Sequence, residues 1–452
     1  MKLAFARSIV TVAIALAFTL SVPAKIQADA GAQVSLEATK LNQRGVSHLH
    51  KQEYERAIAS FREALRVYPE YPEALDNLGK ALDATGKDSE AIAIFDKAIQ
   101  LAPQNAAAYA DKGMALFHEG KYEDAAGAYR QALEHHKNFS EAQNGLGAAL
   151  LHLNKTDEAI AAFRSAIAIN PKNADALGNL GSALLAENKA AEALPYLRKA
   201  HSLRPNDSQL LEEYARGLDE AGHRHEAIAA YHKLTTKPPD DPATWTHIGH
   251  LYYKSKHYGP ANSAFQKSLA LKQDQPDVLV ALGQTQADQG KFPDAIQSFE
   301  KCLALKPDEF HALYNLGNAY YAQKDYAKSA TYYEKAFEQK PDFSESLVGL
   351  GASQLAANKL EDAIATYKKL VPLKPGDANV RFNYGTALFN AGKFQDAADN
   401  YREAVRLNPS FAHAHYNLGM TLLRLNDPKS AQAEFAEAHR LDPRLNAPVA
   451  TK

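Results

Sequence analysis

The sequence has almost no cysteine, because Cys302 is the single one among 452 residues. An intramolecular disulfide is therefore excluded, and the fold has to be stabilised by packing. A charge excess is also missing. The net charge is −2 at pH 7, whereas dedicated nucleic-acid-binding proteins usually carry a strong basic surplus. With 46% hydrophobic and 23% charged residues, the composition is typical of a folded protein with a core.

Motifs of catalysis and cofactor binding are missing as well. The sequence contains no glycine-rich phosphate loop, no HExxH, no CxxC and no Gly-x-Ser-x-Gly. Six histidines lie between His223 and His257, and His247 and His250 would share one helix face. Without cysteines or organised carboxylates beside them, this cluster favours chance placement over a metal site. We predict that the protein is not an enzyme and has no cofactor and no metal ion.

A strict 34-residue period fills most of the chain. Its marker is a small residue that follows an apolar one in most repeats, found at Gly45, Gly79, Gly113, Gly147, Gly181, Ala215, Gly249, Gly283, Gly317, Gly351, Gly385 and Gly419. Twelve residues after each marker a second small residue follows, as at Ala57 and Ala91. An aromatic residue comes four positions later in every repeat except the one with Leu197, and a proline ends most repeats.

This spacing predicts a stack of helical hairpins. Small residues let two antiparallel helices approach closely, and the aromatic side chain fills the space beside their crossing. Proline stops the second helix from continuing into the next repeat. Each hairpin leaves an apolar face that only its neighbour can cover, so such repeats stack into a solenoid. Cys302 falls on a small buried position of its repeat, which favours a core residue over a reactive thiol.

The pattern resembles the tetratricopeptide repeat, most closely at residues 74–79 (ALDNLG) and 312–317 (ALYNLG). The resemblance implies an all-α, right-handed superhelical solenoid of antiparallel helix pairs, with a concave groove lined mainly by the first helices. A short N-terminal lead (31–37) precedes one unbroken array, and a C-terminal tail (446–452) follows it. The twelve repeats are predicted at 38–71, 72–105, 106–139, 140–173, 174–207, 208–241, 242–275, 276–309, 310–343, 344–377, 378–411 and 412–445.

Residues 1–30 have the order of a secretory signal peptide. Lys2 and Arg7 precede a continuous, mostly apolar stretch, and small residues flank Asp29. We expect cleavage after Ala30, with Ala24 as the alternative site, and a periplasmic or secreted mature protein of the bacterial envelope. An uncleaved signal that anchors the chain in the membrane is the other possibility.

The family resemblance also indicates which residues face the groove, since the residue two before the marker glycine does so in this family. An asparagine there can pair with the backbone of an extended peptide, although it could equally belong to the repeat consensus and only hydrate the groove. Neighbouring aromatic residues add contact area at little entropic cost. The candidate peptide-binding residues are Asn77, Asn179, Tyr314, Asn315, Asn318, Phe382, Asn383, Tyr416 and Asn417.

Other surfaces have a different character. Glu212, Glu213, Asp219 and Glu220 make the sixth repeat acidic. The position at which related domains clamp a peptide carboxylate with lysine holds no basic residue in any repeat, so we do not expect that mode of binding. The leading interpretation is an exported scaffold that binds protein or peptide partners, without nucleic acid, and assists assembly of a cell-envelope complex. The alternative is a periplasmic scaffold of a polysaccharide synthesis and export machine.

Two further expectations concern the ends of the array and its middle. The proline-containing junction at residues 234–245 is expected to bend the stack. The last repeat has no polar capping helix, so its outer face around Leu422, Leu423 and Leu425 is expected to be covered by a partner or by a second copy of the chain.

Overall fold

Paired helices fill nearly the whole of the chain that the structure, a computed structural model, describes: residues 34–236 and 241–448. All regular secondary structure in these residues is α-helical. The predicted signal peptide and its cleavage sites lie outside the described residues. The predicted fold class, an all-α solenoid of antiparallel helix pairs, is confirmed.

Each repeat contributes two helices. Repeats 1 to 6 form α1 (Leu36–His50), α2 (Tyr54–Val67), α3 (Pro72–Asp83), α4 (Asp88–Leu101), α5 (Ala106–His118), α6 (Tyr122–His135), α7 (Ser140–His152), α8 (Thr156–Ile169), α9 (Ala174–Ala186), α10 (Ala190–Leu203), α11 (Ser208–Glu220) and α12 (Arg224–Leu234). Repeats 7 to 12 form α13 (Pro242–Lys254), α14 (Tyr258–Leu271), α15 (Pro276–Asp288), α16 (Phe292–Leu305), α17 (Phe310–Ala322), α18 (Tyr326–Gln339), α19 (Glu345–Ala356), α20 (Leu360–Leu370), α21 (Ala378–Asn390), α22 (Phe394–Leu407), α23 (Ala412–Arg424) and α24 (Pro428–Leu441).

The chain divides into two compact units at Thr236 and Lys237. The N-terminal unit holds α1–α12 and the C-terminal unit holds α13–α24. The sequence analysis treated the repeats as one array, and the division falls within the junction where it expected a bend. Residues 237–240 lie outside the described residues, so the bend stays a prediction.

Inside each unit the helices pack in the order of the chain. The two helices of a repeat pack against each other, and the second helix packs on the first helix of the next repeat. Neighbouring first helices also touch one another, as α3 touches α5 and α21 touches α23, whereas no pair of neighbouring second helices makes a comparable contact among the described residues. The first helices are therefore closer together, which puts them on the inner side of each unit.

The turn between the two helices of every repeat contains one residue with left-handed backbone. These residues recur at the repeat period: Gln52, Gly86, Gly120, Asn154, Asn188, Gly222, Lys256, Gly290, Lys324, Asn358, Gly392 and Asn426. Glycine and asparagine tolerate this conformation best, and they occupy most of the positions. The next residue donates its backbone N–H back into the first helix, as Lys87 does to Leu82 O at 3.0 Å. This turn is a repeat feature that the sequence analysis did not identify.

The marker glycines lie where the two helices of a repeat cross. A Cβ on Gly79 would lie 2.5 Å from Cε1 of Phe95, and a Cβ on Gly45 would lie at the same distance from Phe61. Both rings are buried. The glycine therefore creates the space that the aromatic ring fills, as the spacing predicted.

Three repeats extend this contact to the following repeat. The ring of Tyr129 packs against Gly113 of its own repeat and against Gly145 of the next one. Tyr333 lies in the same way between Gly317 and Gly349. In repeat 5 the aromatic is replaced by Leu197, whose side chain packs between Gly181 and Gly217. These three side chains join adjacent hairpins.

The end of the array differs in part from the expectation. Leu422 is buried in a cluster with Leu388, Tyr401 and Phe435. The prediction that it belongs to an uncovered outer face is wrong, because it packs against its own repeat and the one before it. Leu423 is exposed. In the described part of the chain, no helix combines the length and the apolar character needed to cross a membrane.

Candidate protein-binding surfaces

The groove asparagines in the N-terminal unit are engaged with the neighbouring repeat. Asn77 Nδ2 donates to Asn42 Oδ1 at 3.2 Å, and Asn42 in turn donates to the hydroxyl of Tyr71 at 3.4 Å. Asn179 Nδ2 donates to Asn144 Oδ1 at 2.9 Å. Asn77 and Asn179 are half-buried on first helices. They align adjacent first helices, and each has one further N–H that a bound backbone could use.

A cluster of half-buried aromatic rings lies where repeats 9 and 10 meet. Tyr314 on α17 contacts Phe343 edge to face at a centroid distance of 5.2 Å, and Phe310 contacts the same ring at 5.1 Å. Lys340 lies over both phenylalanines, 5.4 Å from the ring centre of Phe310 and 5.8 Å from that of Phe343. Edge-to-face rings capped by a cation are a stable arrangement.

Polar groups border this cluster on the same helix. Tyr333, which is buried, donates its hydroxyl to Asn318 Oδ1 at 2.5 Å. Asn318 Nδ2 lies 3.5 Å from Asn315 Oδ1. Asn318 is exposed and Asn315 is half-buried. The aromatic and amide groups that the sequence singled out in repeat 9 are thus adjacent in the structure.

The same arrangement recurs two repeats later. Phe382 on α21 packs on Phe411, the last residue of repeat 11, at 4.8 Å, and on the buried ring of Tyr401 at 5.7 Å. Phe382 occupies the repeat position of Tyr314, and Phe411 occupies that of Phe343. Both first-helix rings therefore pack on the ring that ends their own repeat and leave part of their surface accessible.

The last repeat completes this surface. Tyr416 contacts Phe435 at 5.5 Å, and Asn417 Nδ2 donates to the hydroxyl of Tyr401 at 3.4 Å. Asn383 is half-buried on α21. We call Phe310, Tyr314, Asn315, Asn318, Phe343, Phe382, Asn383, Phe411, Tyr416 and Asn417 the aromatic–amide face. The candidate residues of the C-terminal unit all belong to it.

The first helices of the N-terminal unit carry carboxylates instead. Lys80 Nζ lies 2.7 Å from Asp76 Oδ2 and 3.1 Å from Asp111 Oδ2, which joins α3 to α5. Burial raises the pKa of Asp111 to about 7, while the Lys80 ammonium opposes this shift. Burial disfavours the Lys80 ammonium, but Asp111 and Asp76 overcome that effect and raise the pKa of Lys80. Two aspartates share one lysine, and the charge of Asp76 contributes to the raised pKa of Asp111.

The acidic side chains of repeat 6 are not all on the surface. Glu212 and Glu220 are exposed, but Glu213 is half-buried on α11 against Gly178. Burial raises the pKa of Glu213, and the hydrogen bond from Gln209 partly offsets this. The repeat therefore presents fewer free carboxylates to a partner than its sequence indicates.

Two other residues considered in the sequence analysis, a histidine and the single cysteine, pack against buried residues. His250 packs edge to face on Phe265 at 5.1 Å. Cys302 is fully buried, and burial raises the pKa of its thiol to about 11, so it is a core residue in this fold. Sequence reasoning missed the Asp76–Lys80–Asp111 group, since its members come from two repeats and match no motif. The recurrence of aspartate on the first helices of repeats 2 and 3 was the available signal.

These observations define the class: a helical-repeat protein whose inner helices present side chains for contacts with other molecules. Tetratricopeptide repeat profiles match residues 42–106, 110–174, 154–208, 280–342 and 383–445, and a second such profile matches 184–251 and 320–381. The chain belongs to the tetratricopeptide repeat family. Members generally bind protein or peptide partners and are generally non-catalytic scaffolds.

Solved structures with similar folds include three of different size. A tetratricopeptide repeat protein from Parabacteroides merdae is 19% identical, with 56% of this chain and 99% of that chain covered and a TM-score of 0.40. YrrB, described as a TPR protein with an unusual peptide-binding site, is 22% identical, with 40% and 94% covered and a TM-score of 0.38. Yeast Tom70 is 18% identical, with 89% and 92% covered and a TM-score of 0.33. The comparison with curated proteins gives no match.

Proposed function

We propose that the protein is an exported, non-catalytic scaffold that binds an extended segment of a partner protein on the aromatic–amide face. The observation that carries this proposal is the repeated placement of half-exposed aromatic rings beside amide groups on the first helices α17, α21 and α23. Rings supply contact area at little entropic cost, and amides can pair with the backbone of a peptide of any sequence.

The ring contacts within repeats 9 and 11 support this use of the surface. Tyr314 and Phe382 are held by Phe343 and Phe411 and by the rings beneath them. A partner would therefore meet rings that are already ordered, so binding costs little side-chain entropy. Each of these rings thus packs on other rings of its own repeat and leaves its remaining surface accessible.

Photo-crosslinking from single positions tests the surface directly. A photoreactive amino acid at Asn318, exposed on first helix α17, is expected to give a defined crosslinked partner in intact cells. The matched control is Glu334, which is exposed on second helix α18 of the same repeat. Equal products from both positions, or products from Glu334 alone, would contradict binding on the aromatic–amide face.

The export part of the proposal rests on the order of residues 1–30. We propose a periplasmic or secreted protein that assists the assembly of a cell-envelope complex. N-terminal sequencing of the protein from fractionated cells is expected to begin at Gly31, or at Lys25 if the alternative site is used. A membrane-bound chain that keeps Met1 would identify an anchor, and a full-length chain in the cytosol would refute export.

The identity of the crosslinked proteins then separates the two roles in the envelope. Structural envelope proteins as partners support assembly of a complex. Glycosyltransferases and polysaccharide exporters as partners support the alternative, a scaffold of a polysaccharide synthesis and export machine.

A further inference from the structure

Two aspartates and one histidine from three helices converge between repeats 2 and 3. Asp83 ends α3, Asp88 begins α4 and His118 ends α5. One carboxylate oxygen of each aspartate and one ring nitrogen of His118 all lie within 4.8 Å of one another. Among the residues that the structure describes, these three are the only such group of histidine, cysteine and carboxylate side chains.

The aspartate at the centre of this group, Asp83, is shielded from solvent. The Asp83 side chain is only 4% exposed, and its Oδ1 lies 2.9 Å from His118 Nδ1. Asp83 therefore holds the histidine in place with its Nδ1 directed at the carboxylates.

Asp88 contributes a second carboxylate, which takes no part in the hydrogen bond between Asp83 and His118. Its Oδ1 is buried and has no hydrogen-bond partner. A solvent-shielded carboxylate oxygen without a donor is costly, and its cost falls when a cation binds beside it.

Two other histidine–carboxylate pairs can be compared with Asp83 and His118. His48 Nδ1 lies 2.6 Å from Glu53 Oε2, and His415 Nδ1 lies 2.6 Å from Glu434 Oε2. Neither pair has a second carboxylate within ligand distance of the same point. Near Asp88, Glu119 is already engaged, since Ser89 Oγ donates to it at 2.5 Å and Lys121 Nζ lies 3.1 Å away. Asp88 Oδ1 thus remains the carboxylate oxygen near this pair that no donor satisfies.

We propose that Asp83, Asp88 and His118 bind a divalent transition-metal ion of the zinc type, with water as the remaining ligand. Imidazole and carboxylate ligands suit Zn²⁺, at bond lengths of about 2.0–2.2 Å. His118 lies at an exposed helix end, so it can make the small movement that these bond lengths require. The metal takes the place of the proton on His118 Nδ1, and this proton leaves to solvent.

The bound ion links the first helices of two repeats to the helix between them. Its role is structural, and it holds α3, α4 and α5 together beside the Asp76–Lys80–Asp111 group. The sequence analysis predicted no metal site because it examined histidines that lie near each other in sequence. These ligands are separated along the chain and meet only through the stacking of repeats.

Calorimetry on the purified, untagged full chain tests the site. After treatment with a chelator, Zn²⁺ is titrated into the wild type and into the variants His118→Ala and Asp88→Asn. His48→Ala is the matched control, since it removes a histidine from a pair without a second carboxylate. We expect one tight equivalent in the wild type and the control, and binding at least about tenfold weaker in both site variants.

A second readout locates the ion. Zn²⁺ is expected to slow amide hydrogen exchange in α3, α4 and α5 of the wild type and to leave that of the Asp88→Asn variant unchanged. Asp88 is at the surface end of its helix, and circular dichroism checks that this variant is folded. The proposal is overturned if no stoichiometric binding occurs, or if the site variants bind as the wild type does, as they would if the histidines between His223 and His257 held the metal.

Discussion

The close contact at the crossing between α3 and α4 predicts that replacing Gly79 by alanine destabilises the protein. The same substitution at an uncrowded helix position is expected to stabilise it. A Cβ on Gly79 would lie 2.5 Å from Cε1 and 2.6 Å from Cζ of Phe95. The ring is 1% exposed and would have to shift by about 1 Å inside a packed core, which typically costs 1–3 kcal/mol. Alanine recovers about 1 kcal/mol of helix propensity. We therefore expect Gly79→Ala to lower local stability by about 1 kcal/mol.

Gly127 is the matched control. It lies inside α6, and a Cβ there would meet no atom within 4 Å. Gly127→Ala is expected to raise local stability by about 0.5–1 kcal/mol, since only the propensity gain remains. The two variants make the same chemical change in a helix, so a difference in sign isolates the packing at the crossing.

Native-state hydrogen exchange is the appropriate assay, because long repeat arrays need not unfold in one transition. Exchange in α3 and α4 should speed up in Gly79→Ala, and exchange in α6 should slow down in Gly127→Ala. In a Phe95→Ala background, Gly79→Ala should no longer destabilise. Unchanged or slower exchange in α3 and α4 of the single variant would refute the reasoning about the crossing.

Three further predictions address single positions. Lys324→Gly should stabilise repeat 9 by about 1 kcal/mol, because Lys324 has left-handed backbone at φ 63°; unchanged exchange at α17 and α18 would argue against strain there. The pKa of Asp111 is raised from 3.8 to about 7, so the folded state holds a proton that the unfolded chain has released, and stability should fall as pH rises from about 4 to 7. Asp111→Asn should reduce that slope in chemical denaturation, and an unaltered slope would count against the shift. Cys302 should resist thiol reagents in the native protein and react after denaturation, as mass spectrometry would show, whereas rapid labelling of the native protein would contradict its burial.

The sequence predicted the features that repeat. Glycine at the crossing, the aromatic residue beside it and the terminal proline have the same local cause in every repeat, so spacing alone located the hairpins. Gly79 and Phe95 are in contact as that spacing required. The candidate partner-binding residues were harder to assign, since Tyr314 also packs on Phe343 of the same repeat.

The features that occur once could not be predicted in the same way. Lys80 reaches Asp111 of the next repeat, and His118 reaches Asp83 of the repeat before it. Such contacts depend on the angle by which each hairpin is rotated relative to the next. The length of the sequence repeat does not determine this angle. The left-handed turn residues were predictable in principle, because glycine or asparagine recurs there at the repeat period, but lysine at positions such as 256 weakens that signal.

The side chains that lie between two glycines have a consequence for how the protein unfolds. Tyr129, Leu197 and Tyr333 each fill a space formed by their own repeat and the next one. If one of the two hairpins opened alone, it would leave its neighbour with a cavity or an exposed ring, so the two gain by opening together. Repeats 3 and 4, 5 and 6, and 9 and 10 should therefore behave as cooperative blocks of two hairpins within an otherwise periodic array.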